Sequence, residues 1–415
     1  MKRYDKYKES GISWIGDIPE HWEMKRLKSR LSLVKDRGTN SIKVGLENIE
    51  SFTGRFFPSE SLFDGEGVQV HIGDIVYGKL RPYLCKVWLA SFECSAIGDF
   101  YVFRCGSDCD KRFMSYLFLS APFTGVCNAS TYGAKMPRVS SNFMLSLPIS
   151  LPPLSEQETI VAYLEEKVAQ MDNLVAKQEA QIAYLRELKQ AIITKAVTQG
   201  LDPQAPLRPS GIPWIGNIPE HWEIRMLSQL SQEYFVSNKD IKHQNLLSLS
   251  YGRIIQRDID TTEGLLPVSY DTYQVIRREN IVLRLTDLQN DHKSLRVGLS
   301  MQEGIITSAY LTLAFRSNVK PKFLYFSLHT ADVKKVFYGM GGGLRQNLNW
   351  KELRKLSLPL PPPSEQEAIV TYINRKTEEI DRLIAMTEQE IARVRELKQT
   401  LIAEVVTGRI NVQPS

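Results

Sequence analysis

The sequence is poor in cysteine, has no long apolar run and carries little net charge for its length, and each shortage narrows what the chain can be. Five cysteines stand at positions 85, 94, 105, 109 and 127, all in the first third and without a C-x-x-C pair. An odd count without paired spacing fits reduced thiols better than a disulfide scaffold. Cys105 and Cys109 with two further ligands make a weak zinc pattern, so no metal and no other cofactor is expected. No eighteen consecutive residues are apolar, and Met1-Lys-Arg-Tyr-Asp5 leads into polar sequence, so the expected address is the cytoplasm with no membrane partner. Catalytic signatures are missing too. There is no G-x-x-x-x-G-K-[ST] loop to cradle nucleotide phosphates and no Asn-Pro-Pro-aromatic motif to grip a base. Glu187-x-Lys189 and Glu396-x-Lys398 resemble the end of a nuclease motif but have no upstream aspartate in reach, and read as helical surface charge. The net charge of +5 would not by itself suggest nucleic acid.

What the sequence does have is a repeat. Residues 10–27, SGISWIGDIPEHWEMKRL, return as SGIPWIGNIPEHWEIRML at 210–227, with thirteen of eighteen positions identical. LPPLSEQETIVAYL from Leu151 returns as LPPPSEQEAIVTYI from Leu360, and this match runs without a gap to Arg186-Glu-Leu-Lys-Gln190 and Arg395-Glu-Leu-Lys-Gln399. The stretches between, roughly 28–150 and 228–359, scarcely resemble one another. The 415 residues, enough for two or three units, are therefore two copies of one plan with divergent middles.

The second repeated segment predicts a long helix in each copy. Ser155 with Glu158 and Ser364 with Glu367 have capping-box spacing directly behind prolines. From there Val161, Leu164, Val168, Met171, Val175, Gln178, Ile182, Leu185, Lys189 and Ile192 alternate steps of three and four. Val370, Ile373, Thr377, Ile380, Ile384, Thr387, Ile391, Val394, Lys398 and Leu401 do the same, which is coiled-coil spacing. Gly200 and Gly408 offer stops. The simplest partner for each helix is the other, antiparallel, with Gln178 and Thr387 as polar seam positions that set register. The two helices sum to −5, so the remaining 327 residues carry +10, and the divergent modules are the basic part.

Strand-like runs at Asp74–Tyr77, Asp99–Phe103, Asn280–Leu283 and Ala309–Ala314 and helical patterns at Arg112–Leu119 and Pro321–Leu328 make each module α+β. The expected fold is two similar α+β modules separated by a long antiparallel two-helix coiled coil with a pseudo-two-fold internal repeat. The expected segments are a first module at 1–150, a first helix at 151–200, a linker and second module at 201–359, and a second helix and tail at 360–415. A 44-residue helix is about 66 Å long. Modules of this size have centres about 40 Å apart, close to one DNA turn.

W-I-G-x-I-P-E-H-W-E at Trp14 and Trp214, and L-P-x-x-S-E-Q-E at Leu151 and Leu360, each present twice, resemble the specificity subunit of type I restriction-modification systems. The likeness covers the whole chain in its expected order of module, helix, module, helix. It implies a non-catalytic subunit that recognises a bipartite double-stranded DNA sequence, one half per module, and holds two methyltransferase subunits. In the full complex two restriction subunits supply translocation and cleavage. The alternative is a coiled-coil adaptor without sequence-specific DNA binding.

Candidate contacts come from charge and turn context. Lys79, Arg81 and Tyr83 surround a proline in what should be an exposed turn, and are either DNA contacts or a solvated tip with incidental charge. Lys135 and Arg138, and Arg345, Gln346 and Asn347, follow glycines just upstream of each helix, where backbone can approach a phosphate. Arginine can grip guanine, and Asn or Gln adenine, although phosphate contact or mere exposure is the commoner role of any one of them. Arg284 and Arg296 join on charge and loop context alone. The Trp14 to Trp22 segment reads as a folded plug beneath each module rather than as a DNA contact through His21.

Overall fold

The computed structural model describes residues 2–414 apart from 60–62, 240–241, 260–268, 292–293, 317 and 341–346. Four helices organise it: α1 (Lys111–Leu119), α2 (Leu154–Gln199), α3 (Pro321–Val333) and α4 (Pro363–Val406). The chain forms two compact units, one of residues 1–179 with 387–415 and the other of residues 180–386. These units regroup the segments expected from sequence, since each takes one module together with part of each long helix.

In the first unit β1 (Leu31–Val34), β2 (Ile75–Gly78), β3 (Val87–Leu89) and β4 (Phe100–Cys105) form an antiparallel sheet in the order β1-β4-β2-β3. Successive side chains of a strand face opposite ways, and here both faces are covered. Ile75, Tyr77 and Phe103 pack toward α1, where Phe118 meets the rings of Tyr77 and Phe103. Val76, Trp88, Phe100 and Val102 pack the other way, with Val44, Val70, Cys94 and Ala96. That two-sided burial is why these strands read as continuous apolar runs. The second unit repeats the order. Its strands β5 (Ser231–Glu233), β6 (Ile281–Leu283), β7 (Val297–Leu299) and β8 (Leu311–Phe315) run β5-β8-β6-β7. Two modules with little sequence in common thus share one strand order.

Within each unit the two helix segments are antiparallel. Lys398 of α4 meets Asp172 of α2 at 2.7 Å in the first unit, and Lys189 of α2 meets Asp381 of α4 at 2.7 Å in the second. Val161, Leu164, Ile182 and Leu185 on α2, and Ile373, Ile380, Thr387, Ile391, Lys398 and Leu401 on α4, are buried, as the 3,4 spacing predicts. Gly200 and Gly408 follow the helices with φ near +75° and +78°, the left-handed conformation glycine adopts without a Cβ clash. A Cβ on Gly408 would overlap Pro19.

The repeated motifs meet where each long helix begins. The capping boxes expected at Ser155 and Ser364 are not formed as such, because α2 starts at Leu154 and α4 at Pro363, which places both serines inside the first turn. The next two residues carry the junction instead. Glu156 accepts from Trp22 Nε1 at 3.1 Å and Tyr4 Oη at 2.6 Å, and pairs with His21 at 2.8 Å. Glu365 accepts from Trp222 Nε1 at 2.8 Å and pairs with His221 at 2.6 Å. The amide of Gln157 bridges the Pro152 carbonyl and the Asp110 N–H ahead of α1, and Gln366 bridges the Pro361 carbonyl and the Lys320 N–H ahead of α3. Both glutamines are buried. The strand ahead of each helix (Pro148–Leu151, Ser357–Leu360) pairs with the end of each Trp motif (Glu23–Arg26, Glu223–Met226). The Trp motif is therefore a plug, with Trp22 and Trp222 fully buried and both histidines engaged by glutamates.

Candidate nucleic-acid interface

β2 ends at Gly78, and the turn that follows is tied to residues 132–139 more than fifty positions away. Val139 N–H donates to the Lys79 carbonyl at 3.2 Å and Arg81 N–H to the Pro137 carbonyl at 2.7 Å. Tyr132 and Arg138 exchange backbone hydrogen bonds at 3.0 Å in both directions, closing a loop over residues 133–137. Gly133 opens that loop at φ +92°, a conformation other residues rarely take. Five residues singled out from sequence in two separate stretches, Lys79, Arg81, Tyr83, Lys135 and Arg138, thus lie on one pair of joined loops.

They are not equivalent there. Arg138 makes a two-pronged contact with Asp99, Nε to Oδ1 at 3.1 Å and Nη2 to Oδ2 at 2.9 Å, and Lys79 approaches the same carboxylate at 3.7 Å. The Arg138 guanidinium holds the Asp99 carboxyl below the usual carboxylate range. Lys79 also lies over the Tyr101 ring. Arg81, Tyr83 and Lys135 are exposed, with Arg81 in left-handed backbone at φ 49°. Tyr132 and Met136 are exposed on the same loops, 60% and 48% accessible, and the sequence reading passed over both. The apolar Met136 in a Gly-Ala-Lys-Met-Pro turn was the signal available.

The second module joins the same two places. Leu348 N–H donates to the Leu285 carbonyl at 2.9 Å, the counterpart of Val139 to Lys79, and Asp287, like Arg81, is left-handed at φ 55°. Asn347 is exposed and its Oδ1 accepts from Asp287 N–H at 2.9 Å. Arg345 and Gln346 lie outside the described residues. Arg284 is half exposed and 3.7 Å from Asp291. Arg296 has to be withdrawn as a contact, because it is fully buried. Its guanidinium donates to the carbonyls of Arg284, Thr286, Asp287 and Asp291 and to Tyr338 Oη, so this cation organises the loop after β6 and presents nothing to solvent.

On the helices, Gln178 donates to Glu390 Oε2 at 3.0 Å and Thr387 is buried. The charged seam members Lys189 and Lys398 carry the ion pairs already described. Among the cysteines, 85, 94, 109 and 127 are buried, and burial pushes the Cys85 thiol up to about 11 and Cys94 and Cys127 up to about 12. No His/Cys/Asp/Glu group among the described residues is arranged to hold a metal, and no helix among them is long and apolar enough to cross a membrane.

Comparison with known proteins gives a consistent result. The family model for the type I restriction modification DNA specificity domain matches residues 62–184 and again 300–395. The EcoDI specificity subunit of Escherichia coli is 29% identical over 193 residues, 44% of this chain and 43% of that protein, so the match spans less than half of that relative. The putative MjaX specificity subunit of Methanocaldococcus jannaschii is 25% identical over 444 aligned positions, 98% of each chain. A solved chain from a study of assembly and conformational transition in a type I R-M system superposes with a TM-score of 0.69 at 17% identity, covering 94% of this chain and 98% of that one. The HsdS subunit of Thermoanaerobacter tengcongensis gives a TM-score of 0.50 at 17% identity over 95% and 98%. At such identity the structures speak for the fold alone. The family match covers more than half of the residues, falls once in each repeat and includes the start of α2, so this chain belongs to the type I restriction modification DNA specificity family.

Proposed function

We propose that this chain is the DNA-reading subunit of a cytoplasmic type I restriction-modification complex, that each module reads one half of a bipartite duplex target, and that the chain performs no chemistry itself. Two methyltransferase subunits would be held along its helices, and two restriction subunits would join them in the full complex. One observation carries the reading. The same strand order presents an equivalent loop junction in each unit, at Lys79–Val139 and at Leu285–Leu348, while the side chains on the two junctions differ. A common scaffold with different residues at its exposed turns is what two readers of different half-sites need.

Two measurements test this. Affinity of the full chain for duplex DNA should fall linearly on a log scale with salt, with a slope of about −0.9 for each phosphate neutralised. Binding that ignores salt would favour the adaptor reading. A homogeneous preparation given DNA, ATP, Mg²⁺ and S-adenosylmethionine should neither cleave, hydrolyse nor methylate. Turnover abolished by a substitution in this chain would contradict the non-catalytic assignment.

A further inference from the structure

The joined loops of the first module separate cations that hold the loops from side chains that face outward. Lys79 and Arg138 converge on Asp99, and Arg138 also donates Nη1 to the Met136 carbonyl at 3.3 Å. Moving either onto a nucleic acid would leave a half-buried carboxylate short of its partners. Arg81 and Lys135 are exposed and make no ion pair among the described residues. Such cations suit phosphates, which fix position but carry no sequence information. On the same joined loops stand Tyr132 and Met136, large and mainly exposed although the loop backbone is pinned by the Tyr132–Arg138 and Arg81–Pro137 hydrogen bonds. An apolar side chain held outward on a fixed loop gains nothing for folding. In the major groove it gains a partner, since thymine alone presents a 5-methyl group there.

Resting on the DNA-reading function above, we propose that Tyr132 and Met136 are specificity-determining residues of the first module, making apolar contact with thymine methyl groups. Asp99 is their positioning residue, acting through Arg138. A loop already fixed by Asp99 needs little further ordering when it meets a groove. Arg81 and Lys135 flank the contact on the phosphates.

The test uses the full chain assembled with its methyltransferase subunits, a random-sequence duplex pool and S-adenosylmethionine, with the modified sites sequenced. Wild-type protein should return two fixed blocks. Tyr132→Ala with Met136→Ala should relax one or two base pairs of one block by about tenfold each and leave the other block intact, with the salt slope unchanged. Asp99→Asn should relax the same positions, while Arg81→Gln or Lys135→Gln should weaken all sites alike and reduce the salt slope by about one. Replacing thymine by deoxyuridine in that block should reproduce the loss with wild-type protein and add nothing to the Tyr132→Ala, Met136→Ala variant. The intact second block shows in each case that the variant is folded and assembled. An unchanged first block in the double variant, or a deoxyuridine effect of the same size in wild type and variant, would overturn the proposal. A wild-type chain that returns no two-block motif would instead remove the reading on which it rests.

Discussion

Glu156 has 8% of its side chain exposed and accepts from Tyr4 and Trp22 while pairing with His21, whereas Glu365, with 40% exposed, has Trp222 and His221 as its side-chain partners among the described residues. Leucine in either place takes the acceptor away from a tryptophan N–H, and at Glu156 from the Tyr4 hydroxyl as well, and the penalty for an unmatched buried polar group is about 1–3 kcal/mol. Glu156→Leu should therefore destabilise its unit by an amount in that range, and Glu365→Leu by clearly less because water can compensate. Denaturant midpoints of the two variants check the order, and equal losses would mean that burial is not what separates the two glutamates. A second residue-scale effect depends on pH. His329 is buried on α3 with Nε2 on Gln190 Oε1 at 2.9 Å, and burial, helped by the Lys189 charge, pushes its pKa down to about 4. Between that value and the usual 6.5 the unfolded chain binds the proton and the folded chain does not, so stability is full above about 6.5 and is lost as pH falls toward 4. Measured against His329→Gln, wild-type stability should drop by about 2 kcal/mol between pH 7.5 and pH 5.0. Burial pushes the neighbouring Asp332 the other way, to about 6, but it is present in both proteins and cancels from the difference. A difference that does not change with pH would show that His329 is solvated.

At the scale of elements, the two Lys–Asp pairs are sequence-equivalent but differ in depth. The side chains of Lys398 and Asp172 are 7% and 16% exposed, with Arg55 also on Asp172 at 2.7 Å, against 26% and 49% for Lys189 and Asp381. Removing one partner of a buried pair typically costs about 3–5 kcal/mol, whereas an exposed pair contributes about 1 kcal/mol or less. Lys398→Met should thus be several-fold more damaging than Lys189→Met. Adding Asp172→Leu should recover part of the Lys398→Met loss, because the half-buried carboxylate, left with Arg55 as its cation, goes with it and Arg55, 58% exposed, returns to water. Chemical unfolding of the three variants decides, and a double variant no better than the single one would contradict the argument. These elements also mark what sequence could reveal. The helices were legible because seam burial imposes 3,4 spacing, and β2, β4, β6 and β8 because strands covered on both faces read as apolar runs. β1 (Leu-Ser-Leu-Val) and β5 (Ser-Gln-Glu), short strands at sheet edges and the second of them wholly polar, left no such signal. Arg296 misled because charge resembles exposure until the carbonyls of residues 284–291 fold around it. Asp99 went unnoticed because its partners lie 20 and 39 residues away in opposite directions.

For the whole molecule, the repeat was legible but the grouping of its parts was not, since no periodicity says that residues 387–415 complete the unit containing Trp22. Leu401, Ile402, Val405 and Val406 enter that core, and in the other unit Ile193, Ala196 and Val197 pack with Trp222 in the same manner. A chain cut after about residue 205 keeps the first module and all of α2 but loses the segment that covers Trp22 and Pro19. The corresponding end of α2 from a second copy can take that place, burying several aliphatic side chains at roughly 1.5–3 kcal/mol each. The truncated chain should therefore form a two-fold dimer and, with methyltransferase subunits, modify an inverted repeat of one half-site. Sedimentation that finds a folded monomer at micromolar concentration would contradict this.

The central claim, that two modules of one design each read their own half of a split target, is tested most directly by mapping every base methylated in genomic DNA by the assembled complex. The expected result is two short fixed blocks of different sequence separated by a spacer of constant length and unrestricted composition. A single continuous block, or modification without sequence preference, would contradict it.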